Sequence, residues 1–169
     1  DIITGSSDIN TLQGAGGNDI FFSSEEDDII YGGIFDGTTH TDNATTSKDT
    51  VDYSNSVNVD NKLFIDLGTL TAGGYSEAFV TLVSDSSKAY TDSLYGIENI
   101  TGTQNDDTIT GNSLANTLLG SGGNDTLKGA GGADKLDGGT GDDIFIIDDK
   151  SDATGGEIIG GADYDTINY

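Results

Sequence analysis

Two stretches of this chain repeat the same chemistry every nine residues. From Gly102 to Ile146 the sequence reads as five consecutive nonapeptides: GTQNDDTIT, GNSLANTLL, GSGGNDTLK, GAGGADKLD and GGTGDDIFI. Position one is always glycine. Position six is Asp107, Asn116, Asp125, Asp134 and Asp143, and position eight is Ile109, Leu118, Leu127, Leu136 and Phe145. The N-terminal stretch keeps the register, with Asp1, Asn10, Asp19 and Asp28 at position six and Ile3, Leu12, Phe21 and Ile30 at position eight. One apolar residue per short repeat cannot form a core by itself, so the copies must stack on one another.

The period dictates the shape of each copy. Six residues make a turn whose glycines can take positive φ and whose carbonyls can point inward. Three residues then make a strand whose middle side chain faces the interior. Two nonapeptides close one flattened coil of 18 residues, and coils stack at the spacing of neighbouring strands, roughly 4.8 Å. This predicts an all-β solenoid in which turns 18 residues apart lie over one another. Asp107 then stacks on Asp125 and Asp125 on Asp143, while on the opposite edge Glu98, Asn116 and Asp134 form a second row. In the first block Asp1 pairs with Asp19 and Asn10 with Asp28.

Stacked carboxylates and turn carbonyls describe an oxygen-rich gap. Calcium, a hard cation taking about 6–8 oxygens in flexible geometry, suits it better than magnesium with its small octahedral shell. Zinc prefers nitrogen and sulfur ligands, which these repeats lack. The candidate metal-ligating residues are therefore the position-six residues Asp1, Asn10, Asp19, Asp28, Asp107, Asn116, Asp125, Asp134 and Asp143. With them go Asp165, where GGADYDTIN returns to the register, and the turn residues Gly14, Gly16, Gly102, Gly120, Gly122, Gly129, Gly131, Gly138 and Thr140. Asn offers one neutral oxygen where Asp offers two charged ones, so sites built on Asn10 or Asn116 should be weaker. The row through Asp107, Asp125 and Asp143 is expected to fill first.

Composition agrees. Thirty acidic residues face six basic ones, all lysine, for a net charge of -24 over 169 residues, and 33% of residues are hydrophobic. Self-repulsion at that charge opposes compaction, and the balance lies near that of chains that stay unfolded alone. Several divalent cations are the natural counter-charge. The acidic excess argues against nucleic acid or an anionic membrane as partner. No apolar run is long enough to insert into a bilayer. The chain has no cysteine, so neither disulfide nor thiolate chemistry is available.

Four parts can be drawn: a first repeat block at 1–35, an insert at 36–97, a second block at 98–147, and a loop with the start of a further unit at 148–169. Within the insert, Asp49–Tyr53, Val57–Val59, Leu63–Leu67 and Ala78–Val83 read as short strands bounded by turn residues. No segment has helical periodicity. A larger repeat is also suggested: Asp27-Asp28-Ile29-Ile30 leads to Asp49-Thr50-Val51-Asp52-Tyr53, as Asp142-Asp143-Ile144-Phe145 leads to Asp165-Thr166-Ile167-Asn168-Tyr169. The start at Asp1 in mid-repeat and the end at Tyr169 are those expected of a monomeric segment cut from a longer protein.

These residues resemble the RTX (hemolysin-type) calcium-binding nonapeptide repeats, with consensus GGxGxDxUx where U is apolar. GGTGDDIFI at 138–146 matches every defined position, and GAGGNDIFF, GSGGNDTLK and GAGGADKLD miss only the second glycine. The resemblance implies a right-handed parallel β-roll with calcium in its turns, here interrupted by the strand-rich insert. It also implies type I secretion from a Gram-negative-type bacterium, folding outside the cell, and a secreted or cell-surface location. The chain departs from the pattern at Ser23-Ser24-Glu25-Glu26 and at Asn10 and Asn116.

Alternative readings of single residues are weaker. Acidic pairs such as Asp142-Asp143 could be glycosidase carboxylates, but the second member of each lies on the ninefold register. His40, the sole histidine, lacks a nucleophile and an orienting partner and reads as a loop residue. The glycines precede no GK[ST] and make no phosphate loop. Threonines at position seven are too irregular for an ice-binding ladder. The expected function is thus non-enzymatic: a calcium-binding structural or secretion-linked module of an adhesin or surface protein. The alternative is the C-terminal folding and secretion module of an extracellular hydrolase or polysaccharide-modifying enzyme, and a glycan-binding face on the insert is a third option. Far-ultraviolet circular dichroism should move from a disordered spectrum in chelator to a β spectrum in calcium; a chain fully folded in chelator refutes the coupling.

Overall fold

In a computed structural model of the chain, the residues described are 1–23, 26–35, 40–41, 47–55, 62–68, 77–83, 89–147 and 155–169. They form a parallel β-solenoid of about six turns without helix. Its two walls are sheets of mostly three-residue strands. The first wall stacks Ile2–Thr4, Ile20–Phe22, Thr50–Asp52, Asn99–Thr101, Thr117–Gly122, Lys135–Thr140 and Glu157–Ala162, all parallel. The second wall has nine strands, in the order Thr11–Gln13, Ile29–Tyr31, Ala89–Tyr95, Glu77–Val83, Lys62–Asp66, Thr108–Thr110, Thr126–Lys128, Ile144–Ile146 and Thr166–Asn168.

The predicted stacking of the repeats is realised. Ile2 pairs with Ile20, Thr11 with Ile29, Asn99 with Thr117, Thr117 with Lys135, Thr108 with Thr126 and Thr126 with Ile144, each 18 residues apart. Position eight supplies the interior, where Phe21, Ile30, Ile100, Ile109, Leu118, Leu127 and Phe145 are fully buried. Toward the C-terminal end the column emerges, and Ile167 is 42% exposed. Position seven faces outward, as at Ile2 and Ile20. The core is therefore a narrow column built from one inward side chain per strand.

The insert contributes to both walls. Thr50–Asp52 lies between Ile20–Phe22 and Asn99–Thr101, burying Val51. Lys62–Asp66 pairs in parallel with Thr108–Thr110 and buries Leu63 and Ile65. Glu77–Val83 is antiparallel to both its neighbours, and Ala89–Tyr95 then returns parallel to Ile29–Tyr31. That last strand was not expected from the sequence, nor was the short antiparallel pair of Ile34–Phe35 with His40–Thr41. The expected strand Val57–Val59 lies outside the described residues.

Long excursions leave a mark at position one. Tyr53, Leu67 and Ile147 stand there in place of glycine and are buried. Before the excursion to Asp49 that position stays glycine, since a Cβ at Gly32 would strike the Gly96 carbonyl and Asp49 Oδ2. The larger repeat inferred from Asp28/Asp49 and Asp143/Asp165 is not reproduced. Ile144–Ile146 and Thr166–Asn168 pair within the second wall, whereas Ile29–Tyr31 and Thr50–Asp52 lie in opposite walls. The two similar segments thus follow different paths, because the connection before Asp49 crosses the roll and that before Asp165 completes a coil.

Truncating a column residue should be costly. Leu118→Ala is expected to destabilise the calcium-loaded chain by about 2–5 kcal/mol, and Ile2→Ala, at an exposed position, by no more than about 0.5 kcal/mol; denaturant titration in saturating calcium reads both.

Candidate metal centres in the turns

Position six builds two ladders, one on each edge of the roll. On one edge the Asp107 N–H donates to Asp125 Oδ1 (2.7 Å), the Asp125 N–H to Asp143 Oδ1 (2.8 Å) and the Asp143 N–H to Asp165 Oδ1 (3.2 Å). The same edge holds Asn10, whose N–H donates to Asp28 Oδ1 (2.8 Å), and Asp28, whose N–H donates to Asp92 Oδ1 (2.9 Å). On the other edge the N-terminal amine of Asp1 reaches Asp19 Oδ1, the Asp19 N–H donates to Asp49 Oδ1 (2.8 Å) and the Asp49 N–H to Glu98 Oε2 (3.0 Å). Further along, the Asn116 N–H donates to Asp134 Oδ1 (2.8 Å). The expected rows thus exist, and Asp49 and Asp92 belong to them although the ninefold register did not reach them. Their signal was local: Asp49-Thr50-Val51 repeats the Asp-Thr-apolar pattern of 107–109 and 125–127, and Asp92-Ser93-Leu94 varies it.

Each ladder bond occupies one carboxylate oxygen. The second oxygens of Asp19, Asp125 and Asp143 are buried and accept no hydrogen bond. A buried carboxylate oxygen without a partner is expensive. Position-one glycines explain how these oxygens fit: a methyl group on Gly14, Gly120 or Gly138 would overlap Asp19, Asp125 or Asp143 Oδ2 respectively. The same methyl would also strike the carbonyl oxygen of Gly32, Gly138 or Gly160 one coil further on. A carboxylate oxygen and a neighbouring coil's carbonyl therefore converge beside each glycine.

The turns themselves fall into two conformations. In those that begin at Gly14, Gly120, Gly129, Gly138 and Gly160, positions two and four both have positive φ. Position two is Ala15 (77°), Ser121 (83°), Ala130 (72°), Gly139 (102°) and Gly161 (109°). Position four is Gly17 (104°), Gly123 (100°), Gly132 (113°), Gly141 (118°) and Asp163 (78°). Gly16, Gly122, Gly131 and Thr140 occupy position three; Gly122 faces Gln104 Oε1 and Thr140 Oγ1, each 3.2 Å from where its Cβ would stand. The turns from Gly5, Gly102 and Gly111 contain no positive φ. There the position-two N–H points at the position-six side chain: Ser6 N–H to Asn10 Oδ1, Thr103 N–H to Asp107 Oδ2 (2.7 Å) and Asn112 N–H to Asn116 Oδ1 (2.8 Å).

Electrostatics follow burial. Desolvation pushes the Asp125 carboxyl up to about 8 and the Asp107 carboxyl up to about 6, and it raises Asp143. Asp92, also lifted by burial to about 6, accepts hydrogen bonds from Ser23 Oγ (2.6 Å) and Tyr53 Oη (2.9 Å). Among the described residues no three His, Cys, Asp or Glu side chains converge on one point. A cation here would need backbone oxygens, which suits calcium and not zinc.

The RTX calcium-binding nonapeptide repeat model, of four copies, matches residues 1–38, 92–113 and 110–145, more than half of the chain. The chain belongs to this family. A search of curated proteins gives no match. RTX repeats form a structural calcium-binding family, typical of secreted bacterial proteins. No helix among the described residues is long and apolar enough to cross a membrane.

The raised carboxyls set a pH dependence for the ion-free RTX chain. Their folded-state values lie above the unfolded value of about 3.9, so the folded state binds protons more tightly. The contribution is fully present below the unfolded value and is lost as pH rises through about 6 for Asp107 and about 8 for Asp125. In chelator, the β signal should therefore grow as pH is lowered from 8 toward 4; a signal that instead falls over that interval contradicts the assignment.

Proposed function

We propose that this RTX segment is a calcium-dependent folding module of a secreted or surface-located bacterial protein, with a structural rather than catalytic task. The observation that carries the reading is the set of buried Oδ2 atoms of Asp19, Asp125 and Asp143 that accept no hydrogen bond. Each stands beside a carbonyl of the next coil, and a calcium ion between coils would take both kinds of oxygen. The ligands would come from Asp19, Asp125, Asp134, Asp143 and Asp165 with carbonyls of the glycine turns that hold them.

Magnitudes support coupling between ion and fold. At a hundredfold excess over Kd, each ion bound only by the folded state adds about 2.7 kcal/mol. A few such ions equal the whole stability of an ordinary domain, about 5–15 kcal/mol. The net charge of -24 and the single-file core provide little to oppose unfolding without them. In a calcium-poor cytosol the chain would stay extended, suited to a narrow exporter, and it would fold in calcium-rich surroundings. An adhesin or surface protein is the parent this reading favours, the roll acting as a spacer.

Calcium titration of Asp125→Ala tests the reading. Affinity should fall by at least tenfold and cooperativity should weaken, since Asp125 is bonded to the coil before it and bonds the coil after it; unchanged affinity and cooperativity would sink the proposal.

A further inference from the structure

We infer that the turns 5–10, 102–107 and 111–116 take no calcium and are closed by the chain's own donors, so that ions enter only turns with left-handed second and fourth residues. The two turn conformations differ in where the position-two amide points. With positive φ at Ala15, Ser121 and Gly139, the spare oxygen of Asp19, Asp125 or Asp143 accepts no hydrogen bond. Where φ at position two is negative, the amide fills that oxygen.

Side chains complete the closure. Thr103 Oγ1 lies 3.0 and 3.1 Å from the two oxygens of Asp107, and the Leu63 N–H donates to Asp107 Oδ1 (2.8 Å). Both Asp107 oxygens thus accept hydrogen bonds from the chain, although Asp107 is the consensus aspartate. Asn116 goes further: its Nδ2 donates to the Glu98 carbonyl (2.8 Å), so an amide hydrogen faces the oxygen of the neighbouring coil. Asn10 Nδ2 donates within its own turn, to Ser6 Oγ (3.1 Å), as Asn116 Nδ2 also does to Asn112 Oδ1 (3.4 Å).

Two of the six lysines supply positive charge at these same turns. Lys48 Nζ donates to the Ala115 carbonyl (2.8 Å), and Lys62 Nζ pairs with Asp106 Oδ2 (2.8 Å). Both come from the insert, so the insert brings ammonium groups to the two closed turns that begin the second block. Backbone strain separates the classes as well. A left-handed conformation costs roughly 1–2 kcal/mol in a residue with a side chain, yet Ala15 and Ser121 adopt it. It is retained where the spare oxygen needs an ion and absent where the chain itself satisfies the oxygen.

Glycine at position four favours the left-handed form, since Ser6 and Ser121 both occupy position two but only Ser121 is followed by Gly123; Asp163 adopts it without glycine. Calcium would thus concentrate on the Asp125–Asp143–Asp165 edge, where three left-handed turns follow one another. The row begins at Asp125, not at Asp107.

This inference rests on the calcium reading of Asp125 and Asp143, and one experiment separates the two. Bound calcium per chain is counted by equilibrium dialysis and native mass spectrometry. Asn116→Ala should bind as many ions as the parent chain, and Asp125→Ala fewer. A triple variant, Asn112→Gly with Leu114→Gly and Asn116→Asp, gives turn 111–116 the left-handed pattern of turn 129–134 below it and should bind one ion more. A lower count in Asn116→Ala overturns the inference and leaves the calcium reading intact. So does an unchanged count in a triple variant whose circular dichroism in calcium matches the parent's. If the triple variant does not fold, the Asn116→Ala count decides alone. An unchanged count in Asp125→Ala overturns the reading and the inference together.

Discussion

The hydrogen bond from a position-six backbone amide to the position-six carboxylate one coil further on governs most of what this molecule does. It fixes the axial register of the turns, because the donor and acceptor meet only when coils stand one strand spacing apart. It draws the carboxylate into the edge of the roll, where water no longer solvates it. It also satisfies only one of two oxygens. The second oxygen is left to an ion, to another donor from the chain, or to a proton; in turns 102–107 and 111–116 the chain's own amides supply the donor. Position-one glycine follows from the same bond, since any side chain there would displace the oxygen that the bond has positioned.

Much of this was legible in the residues. Nine-residue spacing placed Leu118 and Leu127 inside, paired Asp107 with Asp125 and Asp125 with Asp143, and put the strands in two parallel walls. What escaped was whatever depended on distant segments meeting. Asp28 meets Asp92 across 64 residues and Asp49 meets Glu98 across 49. No period connects them; they are joined by a parallel pairing that forms only after intervening chain has looped out. The strand Ala89–Tyr95 was missed for the same reason, its polar composition offering no alternation until Leu94 and Asp92 turn inward beneath Ile30 and Asp28.

Calcium chemistry was legible in kind and less so in detail. Asp against Asn seemed the measure of site strength, yet Asp107 is as fully hydrogen-bonded as Asn116. The turns do differ in backbone conformation, and glycine at position four accompanies the left-handed form: Gly17, Gly123, Gly132 and Gly141 against Asp8, Asn105 and Leu114, with Asp163 the left-handed residue that is not glycine. A side-chain inventory cannot register it, because glycine contributes no ligand atom of its own side chain. It acts by permitting the peptide to turn its N–H away.

Among the described residues the two walls of the roll contain unequal numbers of strands, seven against nine. At roughly 4.8 Å per strand, the longer wall gains about 10 Å over a rise in which the shorter wall gains none. The additional strands Glu77–Val83 and Ala89–Tyr95 lie with Lys62–Asp66 between Ile29–Tyr31 and Thr108–Thr110, where the other wall has only Thr50–Asp52 between Ile20–Phe22 and Asn99–Thr101. The two repeat blocks are thus joined by one strand along one wall and three along the other, and the backbone hydrogen bonds of those strands link the blocks without drawing on the repeat turns.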